Sequence, residues 1–431
     1  TAEARVVVTN KMVHAPYRGA GRPAAVFVID RAVDRLAHAL GLDPAELRRR
    51  NFIRTEEMPY DTGQLYRDAQ PLIYDSGNFP EALEQALAAI DYEGFRREQE
   101  AWRTRGIYRG IGISSYVEGT GVGPYEGATV SVDASGGVVV ATGACSQGQG
   151  HETTFAQLAA DAIGVPVEQV TVINADTAAI PMGVGTLASR SAVVAGSAVH
   201  EAAGRVRAKL AEAAGALLEA APDDITIEDA HAFVRGVPQS VVPLARVIHA
   251  ALPTFASPGP VAADFAATVY RQVPTVTYAS AVHVVLVEVD IETGVVTLLR
   301  YVVAHDCGRI INPTIVDGQI RGGVAQGIGG GLYEELLYDT SGQLLSGSFM
   351  DYLLPTAADV PQIDLIHLEY PSPRNPLGIK GVGEGGAISP PAAIANAVED
   401  ALRPFGVCIR ETPLSPDRVR ALLRPAQARR G

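Results

Sequence analysis

Cysteine is scarce in this sequence of 431 residues, and its placement excludes several kinds of site. The three cysteines, Cys145, Cys307 and Cys408, lie far apart and form no C-x-x-C pair. They predict neither a disulfide framework nor a zinc or iron–sulfur site carried by this chain alone. Such cysteine usage is typical of a reducing compartment, so we expect a cytoplasmic protein.

Long apolar runs and an excess of positive charge are lacking as well. No run is long enough to cross a bilayer, and we expect neither a membrane span nor a signal peptide. The formal net charge of −13 disfavours nucleic acid or an anionic membrane as a partner. The G-x-S-x-G pattern, the P-loop and the protein-kinase motifs are missing too, which disfavours the enzyme classes that depend on them.

The chain does have the length for two or three domains and, with 47% hydrophobic residues, the material for large cores. Helical patterns dominate up to residue 105 and strand patterns follow, so we predict two domains, residues 1–105 and 106–431. The chain opens on Thr1 and continues at once into a strand pattern at residues 5–8. We therefore expect further sequence before it, either missing here or carried by another polypeptide.

Capping residues and hydrophobic periodicity predict the secondary structure. Helices are predicted over residues 24–40, 44–51, 79–89, 92–103, 151–163, 191–218, 392–402 and 415–423, with a glycine-rich helix starting at 312–313. Strands are predicted over residues 107–117, 128–132, 138–140 and 170–174, with a hairpin over 282–291 and 295–303. Residues 52–80 and 221–275 are expected to be irregular.

A glycine-rich stretch at residues 378–387 encloses a single carboxylate, Glu384. Glycine lets a ligand approach the backbone closely, and a carboxylate among small and apolar residues is poorly solvated. The pKa of Glu384 should then rise toward that of a useful base. The alternative is a surface loop with a solvated glutamate. Residues 381–386 also fit the dinucleotide pattern G-x-G-x-x-G, but that interpretation is rejected because the next helix cannot begin before Ser389.

Three other segments carry related chemistry. Residues 17–22 hold Arg18 and Arg22 in a loop bounded by glycine and proline, where a guanidinium can grip an anion or a polar ring. Residues 146–150 alternate glutamine with glycine at one helix start, and residues 183–191 place hydroxyl groups at another. Helix capping or a solvated charge is the alternative for each segment alone. Their repetition predicts one large phosphorylated cofactor.

Taken in order, these motifs resemble those of the molybdenum hydroxylases, the family of xanthine dehydrogenase, aldehyde oxidoreductases and aerobic carbon monoxide dehydrogenase. The matching segments are residues 17–22, 146–150, 185–191, 312–313 with 318–319, and 381–384. The resemblance covers nearly the whole chain but only the C-terminal part of the family's longer molybdopterin-binding subunit. It implies an α+β fold of mixed sheets with packed helices. Residues 1–105 would end the first molybdopterin-binding domain, and residues 106–431 would form the second, with the catalytic glutamate.

The resemblance also implies a role for each motif. Glu384 would be the base that activates a water-derived oxygen for attack on an electron-poor carbon, whose hydride leaves to the cofactor. The cofactor-binding residues would be Arg18, Gly19, Ala20, Gln147, Gly148, Gln149, Thr186, Leu187, Ala188, Ser189, Arg190, Ser191, Gln319, Lys380, Gly381, Val382 and Gly383. The pterin dithiolene, rather than a side chain, would hold the molybdenum, with Glu384 and Gln147 nearby. Bacterial members usually carry molybdopterin cytosine dinucleotide, and 2Fe-2S clusters and FAD would reside on partner subunits.

Two positions depart from known branches of this family. Gly19 stands where carbon monoxide dehydrogenases carry a copper-binding cysteine, and Ala20 stands where xanthine-type members carry an aromatic residue. Both departures disfavour those substrates and leave an aldehyde or an N-heteroaromatic ring, hydroxylated with water as the oxygen source. The alternatives are a carbon monoxide- or purine-oxidising member, a non-catalytic cofactor-binding assembly subunit, and an unrelated α/β binding protein.

The expected partners are the N-terminal half of the subunit if it is a separate chain, an iron–sulfur subunit, an FAD subunit and a small-molecule substrate. We expect Arg18, Gln147, Gln149 and residues 186–191 to converge on one cavity. We also expect this chain alone to expose a large apolar surface and therefore to bind partners or aggregate.

Overall fold

The computed structural model describes residues 3, 5, 7–9, 11–13, 15–253 and 264–427. Its α-helices are α1 (Arg22–Ala39), α2 (Pro44–Asn51), α3 (Phe79–Ala89), α4 (Tyr92–Thr104), α5 (His151–Ile163), α6 (Ser197–Leu218), α7 (Leu244–Ala251), α8 (Pro313–Leu332), α9 (Pro390–Ala401) and α10 (Pro416–Gln427). A π-helical turn, Ala192–Gly196, leads directly into α6. The helices predicted from the sequence are all present, and α7 is an additional one.

The strands of the described residues form two larger sheets, a small three-stranded sheet and a hairpin. They are β1 (Tyr60–Leu65), β2 (Pro71–Tyr74), β3 (Tyr108–Thr120), β4 (Glu126–Val132), β5 (Val138–Thr142), β6 (Val170–Asn174), β7 (Ile225–Glu228), β8 (His231–Val234), β9 (Val237–Pro243), β10 (Ala266–Arg271), β11 (Thr277–Val289), β12 (Val296–Asp306) and β13 (Ile363–Leu368). The larger sheets run β13-β12-β11-β3 and β10-β4-β5-β6. Each combines one parallel pair, β12/β13 or β5/β6, with antiparallel neighbours. The predicted α+β class with mixed sheets is confirmed.

Glycines let α9 lie directly on the first of these sheets. A Cβ on Gly110 of β3 would sit 2.0 Å from the carbonyl oxygen of Ala397, and one on Gly112 would sit 2.0 Å from that of Ala393. No side chain fits at such distances, so the backbone of α9 can approach the strand only over glycine. The loop that contains Glu384 runs into α9, so this contact also fixes where that loop ends.

The glycine-rich helix α8 packs against the end of the Glu384 loop and the start of α9. A Cβ on Gly323 would lie 2.7 Å from Cα of Gly386, and one on Gly327 would lie 2.6 Å from Pro390. Both glycines are therefore positions of close packing. α5 and α6 cover the second large sheet with a separate apolar core. Loops from both sheets, the loop that precedes α1, the start of α5 and one side of α8 then meet at one cavity.

The prediction that residues 221–275 are irregular is wrong. In their described part, β7, β8 and β9 form a sheet, α7 follows, and β10 pairs with β4 from Ala266 opposite Ser131 to Arg271 opposite Glu126. Strands this short carry little periodic signal of their own and are stabilised by tertiary pairing. Residues 254–263 lie outside the described residues.

Two smaller predictions also fail. Residues 52–80 contain the antiparallel hairpin of β1 and β2 rather than only irregular chain. Conversely, residues 5, 7 and 8 have no regular structure, so the strand predicted over 5–8 is not found at the described positions; residue 6 lies outside them. Both errors concern short segments, for which sequence alone predicts pairing poorly.

Several large apolar side chains are exposed among the described residues, and the large apolar surface expected from the sequence stays a prediction. On α1, Val28 is 67% and Ile29 61% exposed, and beyond α8 Phe349 and Met350 are 83% and 86% exposed. Clusters of such residues commonly mark surfaces that another protein covers. Among the described residues, no helix combines the length and apolarity that crossing a membrane requires.

Candidate active site

Segments that are far apart in the sequence enclose one cavity of about 820 Å³. The predicted convergence of Arg18, Gln147, Gln149 and residues 186–191 is confirmed, because all of them line this cavity. Residues 380–384 and Gln319 line it as well. Among the predicted site residues, Gly19 alone does not border the cavity; its N–H donates to Oε1 of Glu384 at 3.1 Å.

Arg18 joins three parts of the cavity wall. Its Nε donates to the carbonyl oxygen of Gly383 at 2.5 Å, and its Nη1 donates to Oε1 of Gln326 at 3.0 Å. Its Nη2 donates to the carbonyl oxygen and Oε1 of Gln319 at 3.1 and 2.9 Å. Burial lowers the pKa of Arg18, and the nearby Tyr17 and acidic groups act in the opposite direction. The guanidinium therefore fixes the N-terminal loop to α8 and to the Glu384 loop.

The glutamine-rich loop ends at an open helix start. Gly148 and Gly150 have φ values of +96° and +73°, which favour glycine. The N–H of Gln147 donates to Oε1 of Gln149 at 2.5 Å. Gly150 occupies the N-cap of α5 and provides no side chain to cap it. Free N–H groups at a helix start, beside two amide side chains, are suited to bind phosphate or a polar ring.

The loop before α6 brings hydroxyl groups to the cavity. Thr186 Oγ1 and Ser191 Oγ are 3.1 Å apart, and both residues line the cavity. Ala188 and Ser189 have φ values of +49° and +51°, which turn the chain sharply between them. The loop thus presents hydroxyl groups where a phosphate or pterin oxygen could accept hydrogen bonds.

Arg190 borders the cavity, but its guanidinium is bound within the protein. It is fully buried and donates to Glu126 at 2.5 Å and to the carbonyl oxygens of Gly185, Val122 and Tyr125, each at 2.6 Å. The side chain therefore stabilises the loop, and its backbone is the part left to face a ligand.

Lys380 and Gly381 hold the last segment in place. Nζ of Lys380 is buried and pairs with Oδ2 of Asp306 at 2.6 Å. A Cβ on Gly381 would lie 2.0 Å from the carbonyl oxygen of Ser189, and the N–H of Gly381 donates to Thr120 Oγ1 at 2.9 Å. The two loops therefore cross backbone to backbone, and only glycine permits that approach.

Glu384 lies at this crossing, with its side chain 14% exposed. Besides the bond from Gly19, its Oε2 is 3.5 Å from Ser189 Oγ and 3.8 Å from Nη1 of Arg22. Its own N–H donates to Ser189 Oγ at 3.0 Å. The carboxylate is held by one backbone amide and one hydroxyl on the cavity wall, an arrangement that suits a positioned base.

A second carboxyl group, Glu118, lies beside it and was missed by the sequence reasoning. Its side chain is fully buried, accepts from Ser189 Oγ at 3.1 Å and lies 3.7 Å from Nη1 of Arg22. Desolvation raises the pKa of Glu118 to about 8, with Glu384 adding to the rise and Arg22 opposing it. The signal was a glutamate at an inward-facing position of an apolar strand, but β3 was predicted to end at residue 117.

The donor set fits a large polar cofactor with phosphate groups. The cavity offers amide side chains, hydroxyl groups, an open helix start and closely approached glycine backbone, and its volume suits a ligand of that size. Within the described residues, no cluster of three or more His, Cys, Asp or Glu side chains is placed to bind a metal ion.

Comparison with known families gives two matches along the chain. Residues 85–361 match one molybdopterin cofactor-binding domain, and residues 1–52 match another. Together they cover most of the residues that line the cavity before the Glu384 loop.

Comparison with known proteins gives relatives along nearly the whole chain. It is 40% identical to the nicotine 6-hydroxylase large subunit of Paenarthrobacter nicotinovorans over 96% of this chain and 51% of that protein. It is 35% identical to the carbon monoxide dehydrogenase large chain of Afipia carboxidovorans over 88% of this chain and 48% of that one. The crystal structure of quinoline 2-oxidoreductase from Pseudomonas putida 86 superposes with a TM-score of 0.87 at 40% identity, over 95% of this chain and 53% of the other. The chain spans about half the length of the curated relatives it matches.

Proposed function

The chain belongs to the molybdopterin cofactor-binding family of the molybdenum hydroxylases, and we propose that it is the C-terminal half of a catalytic molybdopterin-binding subunit. The reaction proposed is oxidative hydroxylation of an electron-poor carbon, with water as the oxygen source. The observation that carries this proposal is Glu384, positioned by Gly19 and Ser189 on the wall of a cavity to which every cofactor motif contributes.

The residues of the cavity suit molybdopterin cytosine dinucleotide. Gln147 and Gln149 would contact the pterin and the oxygen ligands of the metal, while residues 186–191 and the start of α5 would hold the phosphates. Backbone at residues 381–383 would lie against the pterin. When bound, the molybdenum cofactor supplies the oxygen-transfer and two-electron redox chemistry. Glu384 would accept the proton that this chemistry releases, and Arg18 would hold the loop that positions it.

The substrate proposed first is an N-heteroaromatic ring, and an aldehyde is the second candidate. Two relatives are named for nicotine and quinoline, which are compounds of the first kind. Position 19 also argues against a copper-binding cysteine, because a Cβ there would lie 2.8 Å from Pro23 and the backbone φ is +99°. Ala20 adds only a methyl group at the cavity edge, which leaves room for a flat ring.

The remaining parts of the enzyme would come from other polypeptide segments. We propose an iron–sulfur subunit and an FAD subunit as the route for electrons, an N-terminal half that completes the cofactor site, and a cytoplasmic location. Within this chain, residues 1–105 and 106–431 would belong to successive molybdopterin-binding domains. The exposed face of α1, with Val28 and Ile29, is a suitable contact for the N-terminal half.

The test is Glu384→Gln in the assembled complex, screened on N-heteroaromatic rings and aldehydes with a dye as electron acceptor. Glutamine keeps the size of glutamate but accepts no proton, so turnover should fall by about 10²–10⁴-fold. Molybdenum and cytosine nucleotide content should stay near wild type. Glu100→Gln is the matched control, because its side chain is 79% exposed, and it should change neither value. Normal turnover in Glu384→Gln with full molybdenum would remove Glu384 from the reaction.

A further inference from the structure

Polar side chains are buried in a row behind Glu384. On β3, Tyr116 and Glu118 are two residues apart and therefore share one face of the sheet. Tyr116 lies opposite Ala281 of β11, Ala281 opposite His305 of β12, and His305 opposite His367 of β13. Glu118, Tyr116, His305 and His367 thus lie on the same face, with the small Ala281 leaving space between the two rings.

The row begins at two neighbouring carboxyl groups, those of Glu384 and Glu118. The hydroxyl of Ser189 is 3.1 Å from Oε1 of Glu118 and 3.5 Å from Oε2 of Glu384. A serine hydroxyl has one proton to donate, so it can serve only one carboxyl at a time while accepting from the other. Two carboxylates this close resist being charged together. The pair therefore tends to hold a proton, and the raised pKa of Glu118 assigns that proton to Glu118 at neutral pH.

The next groups have the hydrogen-bonding capacity to carry a proton further. Among the described residues, Oε2 of Glu118, Oη of Tyr116 and both ring nitrogens of His305 have no hydrogen-bond partner. Buried polar atoms are nearly always bonded, directly or through water, so four of them in one row form a coherent set. The position of a Cβ on Gly385 would be 2.2 Å from Tyr116 Oη and 3.2 Å from His305 Nε2. Glycine at 385 thus keeps that space free beside Glu384.

The row ends near the surface. Nε2 of His367 is 2.7 Å from Oδ1 of Asp317, and their side chains are 26% and 29% exposed. Burial lowers the pKa of His305 to about 3, so its ring is neutral and has one donor and one acceptor nitrogen. The charged or titratable groups that face the row from neighbouring elements are Arg18, Arg22, Glu384, His283, Lys380, Asp306 and Cys307.

We propose that Glu118, Tyr116 and His305 form a buried path that moves the proton accepted by Glu384 to His367 and Asp317 at the protein surface. This inference rests on the function proposed above. Ser189 takes the proton from Glu384 and gives its own to Oε1 of Glu118, which releases the proton on Oε2 toward Tyr116. Tyr116 and neutral His305 each accept one proton and release one. One proton enters, one leaves, and no electron moves along the path.

The test uses the assembled complex with the most active substrate of the screen above. Glu118→Gln and Tyr116→Phe should each reduce turnover by about 10–100-fold and increase the solvent deuterium isotope effect, because proton movement then limits the rate. Glu118→Asp should retain more activity than Glu118→Gln. Since the two residues act in series, the double variant should be no slower than the worse single one. Tyr301→Phe is the matched control, a buried tyrosine of β12 bonded to His283 and outside the path.

A measurement without turnover checks the proton on Glu118. Infrared spectra of the complex at pH 7 should contain a neutral carboxylic acid band that is lost in Glu118→Gln and fades above the pKa of about 8. If Glu384→Gln abolishes turnover while Glu118→Gln and Tyr116→Phe keep the wild-type rate and isotope effect, the path is wrong and the proposed function stands. If Glu384→Gln is fully active, both the path and the proposed function are wrong. Absence of the infrared band also overturns the path.

Discussion

Two buried glutamates on successive strands have very different surroundings. Glu126, the first residue of β4, accepts hydrogen bonds from Arg190 and from the N–H groups of Val184 and Gly185. Glu118, near the end of β3, is equally buried, but it accepts a hydrogen bond from the hydroxyl of Ser189 and lies against a second carboxyl group, that of Glu384. A carboxylate with a bound guanidinium is a fixed charge, whereas a partly bonded one tends to keep its proton. Two equally buried glutamates can therefore have different roles. Their bonding partners determine whether the carboxyl group stabilises the fold or is available to transfer a proton.

The largest expected effect comes from removing the charge of Glu126, the glutamate that pairs with the guanidinium of Arg190. Glu126→Gln leaves the buried guanidinium of Arg190 without its counter-charge, which typically costs about 3–5 kcal/mol. The loop at residues 183–191 should loosen, and cofactor content should fall with it. Thermal unfolding of the purified complex and its molybdenum content measure the two effects.

The control for this variant is Glu201→Gln, which pairs with Arg205 and Arg271 but is 35% exposed. Partly exposed pairs contribute about 0–1 kcal/mol, so the control should shift stability little. Equal losses in the two variants would show that the contrast between buried and exposed pairs has been overestimated.

A smaller effect on stability, this time in the stabilising direction, is expected for Glu118→Gln. Because the fold raises the pKa of this group to about 8, the native state binds a proton that the unfolded chain has already released near neutral pH. Stability therefore falls as pH rises between the unfolded value near 4.5 and the folded value near 8. Glu118→Gln removes this dependence and should become the more stable form toward pH 8. Thermal midpoints of both forms from pH 5 to 9 test this, and parallel curves would contradict it.

The smallest effect is expected at the hydroxyl between the two carboxyls. Ser189→Ala removes the bond to Glu118 and the acceptor for the N–H of Glu384, at a cost of about 1 kcal/mol. Serine and alanine both carry a Cβ, so the substitution leaves the backbone strain at the φ of +51° of residue 189 unchanged. Turnover should fall with little change in cofactor content, and Ser341→Ala on the surface should change neither. Loss of the cofactor in Ser189→Ala would instead assign the serine to ligand binding.

Much of the helical framework could be predicted because its signals are local. Asp43 before Pro44 and Asn312 before Pro313 cap α2 and α8 as their positions in the sequence indicate. The cavity loops were also found from sequence, because each combines glycine with amide, hydroxyl or charged groups in a recognisable order. Glycine is required at position 381 because the backbone there crosses close to that of Ser189. The sequence could suggest such a contact but could not give its distance.

What escaped prediction depends on contacts between distant segments. β10 is a strand because β4 pairs with it, and nothing within residues 266–271 indicates that partner. Glu118 was overlooked for a similar reason, since its neighbours Ser189 and Arg22 are supplied by other parts of the chain. The bonds of Arg190 to Glu126 and to three carbonyls likewise emerge only when the loop is folded.

Gly110 and Gly112 make the active site depend on a contact that lies outside it. Both glycines set the height of α9 above the sheet, and α9 follows directly on the segment with Glu384. Any side chain at either position would meet a backbone carbonyl oxygen at 2.0 Å, so α9 would have to lift off the sheet and draw the end of the Glu384 segment with it. Substitution there should therefore damage the site without replacing any group that lines the cavity.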